Sequence, residues 1–324
     1  MHAPAESVPA RVAQVGLRFE AACASGVLDV PLPGAGVHRR WLALARLAAD
    51  DLCVARLAEA HLDALAILAE LGSASPAPGS RWGVWAAHPP VPSLTAARTD
   101  GGWLLSGRKP WCSGARTLTH ALVTADAADG YRLFAVELTA TRPCPGTWPA
   151  VGMAGSDSLE VEFDDLLATA VGGPHDYLER PGFWHGAIAV AACWYGGAVG
   201  LARALTDGGR SLHPHALAHL GAVDARLSSL ATVFAVVAAE VDADPLDRTG
   251  QAHLRAARLR AETERTALDV LDRVGRALGA GPLCRDARHA GLAADLPVYL
   301  RQSHAETDLA QLGALVLDGG TGWL

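Results

Sequence analysis

The chain has 324 residues, half of them apolar and 19% charged, with a formal net charge of -7. That length allows one large domain or two to three small ones, and the apolar share supports a well-buried core. The acidic balance leaves no global basic field that would draw nucleic acid. Cysteines at 23, 53, 112, 144, 193 and 284 form no CxxC pair, which predicts reduced thiols and a cytoplasmic protein.

The first sixteen residues contain no apolar core of signal-peptide length. Gly34-Ala35-Gly36 lacks the third glycine and the strand-to-helix context of a dinucleotide fingerprint. From Val54 onward, Val54, Leu57, Leu65 and Leu68 step by helical intervals around His61, and Gly72 is the predicted C-cap. SASPAPGS, residues 73–80, then breaks the pattern, so residues 1–77 are predicted to form an N-terminal helical domain.

Residues 78–172 read as a β-domain. LTAART and WLLSGRK flank Asp100-Gly101-Gly102, and HALVTA and YRLFAVEL flank Asp129-Gly130, which predicts two hairpins. In LEVEF, Leu159, Val161 and Phe163 face one way and Glu160 and Glu162 the other. One wet face fits antiparallel strands, and no βαβ rhythm appears.

Helical texture returns over residues 173–324, predicting a C-terminal bundle. The run Ala187–Ala202 reads as a fully buried helix, short of a comfortable membrane span. Leu227, Leu230, Phe234, Val237 and Val241 form one stripe, and Leu271, Val274 and Leu278 another. Asp244-Pro245 and Gly279–Pro282 are the predicted breaks. Arg255, Arg258 and Arg260, followed by Glu262 and Glu264, predict a solvated helix face. His213, His215 and His219 invite a metal reading, but no Cys or carboxylate is placed beside them, which favours a surface helix start. No Gly-x-Ser-x-Gly elbow is present. The order of helices, β-domain and bundle is an α+β architecture.

The β-domain carries more specific wording. GWLLSGRKPWCSGA (102–115) and VGMAGSDSLEVEFDDL (151–166) resemble the acyl-CoA dehydrogenase superfamily. LARLAEAHLDALAIL upstream and Arg285-Asp286-Ala287-Arg288 downstream extend the resemblance over nearly the whole chain, which is shorter than is usual for that family. The resemblance implies an acyl-CoA dehydrogenase-like fold: N-terminal helical region, central antiparallel β-domain and C-terminal helical bundle. It also implies bound FAD, a small-molecule substrate with acyl thioesters among the candidates, and a homodimer or homotetramer paired through the bundle, with no nucleic-acid or membrane partner.

Position by position, the resemblance places Trp111 against the isoalloxazine ring and the Ser113 hydroxyl near flavin N5. Val84 and Trp85 fall where the family's chain contacts the pyrimidine, although Trp85-Ala86-Ala87-His88-Pro89 replaces the usual Thr-Glu-Pro. Arg210 falls where an arginine reaches the FAD pyrophosphate of a neighbouring subunit, its donor fork matching phosphate oxygens. His213 and Pro214 replace the Phe-Gly that usually follows, and an exposed helix-start arginine fits equally well.

The family's reaction removes an α-proton with a Glu while hydride passes to N5. Its two Glu positions fall here on Ala294 and Gly186. Asp295 and His185, each one residue away, are the candidate bases. Asp295 also fits a helix N-cap before Leu296-Pro297, and His185 a packed helix start. Three readings follow: an FAD-dependent dehydrogenase of an acyl-type substrate, a flavin oxidase or monooxygenase needing no α-proton base, or a catalytically silent partner subunit.

Overall fold

Ser7 caps the first helix, α1 (Val8–Ala24), its side chain accepting from the Ala10 amide, with Pro9 in the first turn where an amide partner is not needed. α2 (Val37–Asp50) and α3 (Leu52–Glu70) follow closely. Between them Asp51 caps α3, its Oδ1 accepting from the amides of Cys53 at 3.0 Å and Val54 at 3.2 Å. Gly72 adopts a φ of 69°, and the Ser73 amide donates to the Leu68 carbonyl at 3.0 Å, the predicted stop. The computed structural model describes residues 7–73, 75–87, 94–207 and 212–319.

Seven strands follow among the described residues: β1 (Trp82–Trp85), β2 (Thr95–Thr99), β3 (Gly102–Cys112), β4 (His120–Ala127), β5 (Gly130–Glu137), β6 (Arg142–Cys144) and β7 (Leu159–Val171). Both predicted hairpins form, β2 with β3 and β4 with β5, closing at Thr99↔Gly102 and Ala127↔Gly130. β7 alternates as expected, with Leu159, Val161 and Phe163 buried. The expectation of a purely antiparallel sheet needs correcting. β1 pairs parallel with the first half of β4, and Thr95 and Ala96 of β2 pair parallel with its last residues. β4 also pairs with β5, so the path β4–β2–β3–β7–β5–β4 closes on itself. Closure leaves few unpaired edges to be shielded.

The remaining helices are α4 (Asp176–Glu179), α5 (Gly182–Ala202), α6 (Pro214–Ala243), α7 (Ala252–Leu278), α8 (Gly281–Arg285), α9 (Ala287–Leu300) and α10 (Glu306–Gly319). α6 and α7 end at the predicted breaks. By length and composition α5 and α6 could each cross a membrane, but 72% of the apolar window in α5 is buried within the chain, against 28% in α6. Ile188, Cys193 and Trp194 are fully buried, as a core helix requires. Arg260 departs from the solvated face expected of it. Its guanidinium donates to the carbonyls of Ala187 and Gln302, at 3.0 and 3.2 Å, and lies 4.7 Å above the Trp194 ring. Its long stem covers apolar surface while the head finds acceptors there.

Compactness divides the chain into two units. One takes in the described residues up to Asp29 together with Arg56–Phe183, and the other takes in Val30–Ala55 and the residues from Trp184 on. In the first, Ala64, Ile67 and Leu68 of α3 pack on Trp82, Leu122, Leu133 and Val171 of the sheet. The second is helical, and its α2 meets α5 at two glycines discussed below.

Candidate functional site

The end of β3 has an unusual backbone. Pairing with β7 slips between Lys109 and Cys112, and within that slip Trp111 takes a φ of 56°. A positive φ is a real outlier for so bulky a residue, and strain of this kind gathers at functional positions. Its effect is to turn the indole outward, 56% exposed, while Cys112 and Ser113 turn inward. The Ser113 amide closes the turn on the Trp111 carbonyl at 3.1 Å.

This turn is tied to a second segment, residues 153–158, where Met153 and Asp157 also have positive φ. Gly114 and Ala115 amides donate to the Ser156 and Asp157 carbonyls at 2.7 and 3.3 Å. Asp157, 3% exposed, receives the Arg116 guanidinium on both oxygens, at 2.6 and 3.0 Å, and the Arg116 amide at 3.1 Å. The hydrogen bond to Asp157 raises the Arg116 pKa further above its already high value. Trp85 is brought to the same place: its Nε1 donates to the Ser113 carbonyl at 3.0 Å. The Trp85 ring is itself 2% exposed and packs edge-on against Phe163, so its side chain is core. Val84, the residue before it, is half-buried on β1.

Three hydroxyls run inward from this turn. Ser113 Oγ lies 2.8 Å from Ser158 Oγ, Ser158 Oγ lies 2.8 Å from Ser156 Oγ, and Ser156 Oγ donates to the Met153 carbonyl at 2.7 Å. Beneath the strand Lys109 is 3% exposed, its Nζ donating to the carbonyl and hydroxyl of Thr124 at 2.6 and 2.8 Å. Tyr131 donates to the same Thr124 hydroxyl at 2.6 Å. Burial pushes the Lys109 pKa down to about 8. Sequence reasoning missed Lys109, Ser156 and Ser158. The one available signal was that Lys109 falls in phase with buried Leu105 along β3.

The other candidates belong to the second unit. His185 is 3% exposed, with Nε2 3.1 Å from the Pro245 carbonyl oxygen. Asp295 does not cap a helix. It sits within α9, 6% exposed, with the Cys53 thiol 3.7 Å from its Oδ2. Asp286 is the cap of α9, accepting from the His289 amide at 3.1 Å. Asp295 is therefore buried within a helix rather than placed on a loop. Arg288 donates to the Ala49 carbonyl and to Asp50, at 2.9 and 2.7 Å. Of the histidine trio, His213 caps α6 by accepting from the His215 amide. Arg210 lies outside the described residues.

An exposed indole beside a buried hydroxyl, both held by a rigid double turn, suits a flat heteroaromatic ring with a polar edge. The residues present therefore fit a flavin at the Trp111–Ser113 turn.

No family model matches the chain. A stretch of 129 residues is 36% identical to amino sugar nitrososynthase RubN8 of Streptomyces rubradiris, covering 35% of this chain and 29% of that protein. A stretch of 190 residues is 32% identical to L-evernosamine nitrososynthase of a Micromonospora species, covering 51% of this chain and 44% of that protein. The match thus spans less than half the length of either curated relative. Among solved structures, KijD3 in complex with FMN and dTDP-3-amino-2,3,6-trideoxy-4-keto-3-methyl-D-glucose superposes with a TM-score of 0.77 at 17% identity, over 98% of this chain and 95% of that one. TdsC from Paenibacillus sp. A11-2, with FMN and indole, gives 0.74 at 17%, over 96% and 97%. The nitrososynthase from Micromonospora carbonacea var. africana gives 0.72 at 21%, over 95% and 93%. These neighbours have the acyl-CoA dehydrogenase-like fold, and this chain of mixed helix and strand shares it.

Proposed function

We propose that the chain is a flavin-dependent monooxygenase that oxidises the nitrogen of a small amino compound, with amino sugars the favoured class. One observation carries this reading. Both positions where a dehydrogenase keeps its base hold residues without a carboxylate, Ala294 and Gly186, while the Trp111–Ser113 turn is intact. Support comes from the two curated relatives, both nitrososynthases, and from monooxygenases among the structural neighbours. Dehydrogenation of an acyl thioester has no such support.

The flavin is read as FMN, which KijD3 and TdsC hold, in place of the FAD implied by the acyl-CoA dehydrogenase resemblance. FMN has no pyrophosphate, so Arg210 loses the role that FAD would have provided. Reduced flavin, when bound, supplies two electrons to dioxygen, of which one atom goes to the amine nitrogen and the other leaves as water. The chain's own part is positioning. The Trp111 indole offers a flat apolar face and shields it from water, and Ser113 offers its hydroxyl oxygen at the ring's edge. Oxidation at nitrogen removes no carbon-bound proton, so no base is required at the α-carbon, and His185 and Asp295 are read as packing residues of the second unit.

The test is to titrate the purified protein with FMN and FAD, oxidised and reduced, and then to supply reduced FMN, oxygen and a nucleotide-linked amino sugar. The expected product is the hydroxylamine after one turnover, and the nitroso sugar after a second that consumes another reduced flavin and dioxygen. Trp111→Ala weakens FMN roughly tenfold, the worth of one good aromatic contact, and Asp295→Asn leaves turnover intact. Oxygen-independent dye reduction with acyl-CoA would overturn this reading in favour of a dehydrogenase. Absence of flavin binding would favour the silent subunit.

The reading keeps a homodimer or homotetramer paired through the bundle. Val233 and Val236, neighbours on one side of α6, are 43 and 54% exposed, and Leu217 nearer its start is 52% exposed, apolar surface that water disfavours. Sedimentation equilibrium of the purified protein is expected to show an oligomer, and a monomer at all concentrations would remove this part of the proposal.

A further inference from the structure

The three hydroxyls at the Trp111 turn have only one self-consistent arrangement of protons. The Met153 carbonyl cannot donate, so the single proton of Ser156 lies on that 2.7 Å bond. Ser156 then has none left for Ser158, so across their 2.8 Å contact Ser158 is the donor. By the same logic Ser113 donates to Ser158 across the next 2.8 Å contact. All three are at least nine-tenths buried, with exposures of 6, 1 and 6% for Ser113, Ser156 and Ser158, so water does not readily scramble the order. The Met153 carbonyl is a firm anchor, since it also accepts from the Ser156 amide and the Trp148 indole, each at 3.0 Å. The proton of Ser113 is thus committed inward, and only lone pairs remain on its other side.

We propose that Ser156 and Ser158 are positioning residues that orient the Ser113 hydroxyl as an acceptor, biasing the chain toward reduced over oxidised flavin. The inference rests on the flavin reading of the Trp111–Ser113 turn. Reduced flavin carries a proton on N5 and donates there. Oxidised flavin has only a lone pair at N5 and meets a lone pair in Ser113. An enzyme that takes up flavin already reduced gains from that preference, because spent flavin is released more readily than fresh flavin.

The relay is reversible by design of its chemistry. In Ser156→Ala, Ser158 loses its outlet and turns its proton to Ser113, whose own proton is then free to face outward. In Ser158→Ala, Ser113 loses its inward acceptor, with the same result. Neither substitution touches the turn's backbone hydrogen bonds.

The experiment measures Kd for oxidised and dithionite-reduced FMN, anaerobically, in the wild-type protein, Ser156→Ala, Ser158→Ala and Ser156→Thr. The wild type is expected to favour reduced FMN. Both alanine variants are expected to lower that preference roughly tenfold, the worth of one hydrogen bond. The midpoint potential of bound FMN falls correspondingly by about 30 mV for a two-electron couple. Ser156→Thr, which keeps the hydroxyl, restores the wild-type ratio. If FMN binds but the ratio is unchanged in both alanine variants, or both affinities fall equally, the relay is overturned and the flavin site stands. If the wild type binds neither form, the site reading fails and the relay with it.

Discussion

Gly196→Ala lowers the midpoint of thermal unfolding by roughly 4 °C, the shift that about 3 kcal/mol produces in a chain of this length. The reason lies in how α5 passes α2 within the second unit. A Cβ at Gly196 would stand 2.2 Å from the Ala45 carbonyl oxygen and 2.7 Å from the Ala45 Cα. One turn along, a Cβ at Gly200 would stand 2.4 Å from the Ala49 carbonyl oxygen and 2.9 Å from Leu292 Cδ1. Two glycines four apart on one helix thus meet two alanines four apart on the other, so the backbones touch. A side chain could turn aside, but a helix backbone cannot move without shifting its whole element. The control is Gly221→Ala on α6, where nothing lies within 4 Å of the new methyl. There the lost backbone freedom of the unfolded chain stabilises the protein by about 0.5–1 kcal/mol. If Gly196→Ala and Gly221→Ala melt alike, the close crossing of α2 and α5 is wrong.

Features set by a few neighbouring residues were legible in the sequence. The hairpins at Asp100-Gly101-Gly102 and Asp129-Gly130 form because turn chemistry and strand alternation act over a few residues and agree. The stop at Gly72 and the breaks at Asp244 and Gly279 are local in the same sense. The parallel pairing of β1 and β2 with β4 was not readable, since it joins residues such as Trp82 with His120 and Thr95 with Asp126, far apart in the chain, through backbone groups that every residue carries. Arg260 was misread because a run of charges looks the same whether it faces water or a tryptophan. At the candidate site the wording around Trp111 and Ser113 singled out this turn as a candidate, yet its positive φ and the hydroxyl relay were hidden. Ser156 and Ser158 stand in a Gly-Ser-Asp-Ser stretch that composition alone assigns to an ordinary loop.

Lys109→Met is expected to stabilise the protein at pH 7 and to flatten its stability at alkaline pH. In the folded chain the ammonium sits among β-strands, donating to the Thr124 carbonyl and hydroxyl, and burial lowers its pKa from 10.5 to about 8 despite the nearby Asp126. Since the unfolded chain holds this proton more tightly, ν_U exceeds ν_N between those two values, and stability rises with pH across that window. Below about pH 8 the lysine is charged in both states and the full cost of burying it remains. That cost is on the order of 3 kcal/mol. Methionine has nearly the same length and no charge to desolvate, so it recovers this term. It also removes two hydrogen bonds from Thr124, whose hydroxyl keeps Tyr131 as a donor. The net gain at pH 7 is therefore smaller, about 1–2 kcal/mol. The thiols of Cys23 and Cys112 have raised pKa values, pushed up by burial, and oppose the trend: stability tied to them is present at neutral pH and lost as the pH rises past their unfolded value. Both remain in the variant, so the difference between the two proteins isolates Lys109. Urea unfolding at pH 7 and pH 10 reads it, with the advantage of Lys109→Met largest at neutral pH and shrinking toward alkaline pH. An advantage that stays constant with pH, or a loss at pH 7, would mean that Thr124 and the strand around it accommodate the charge and that burial does not lower the pKa of Lys109.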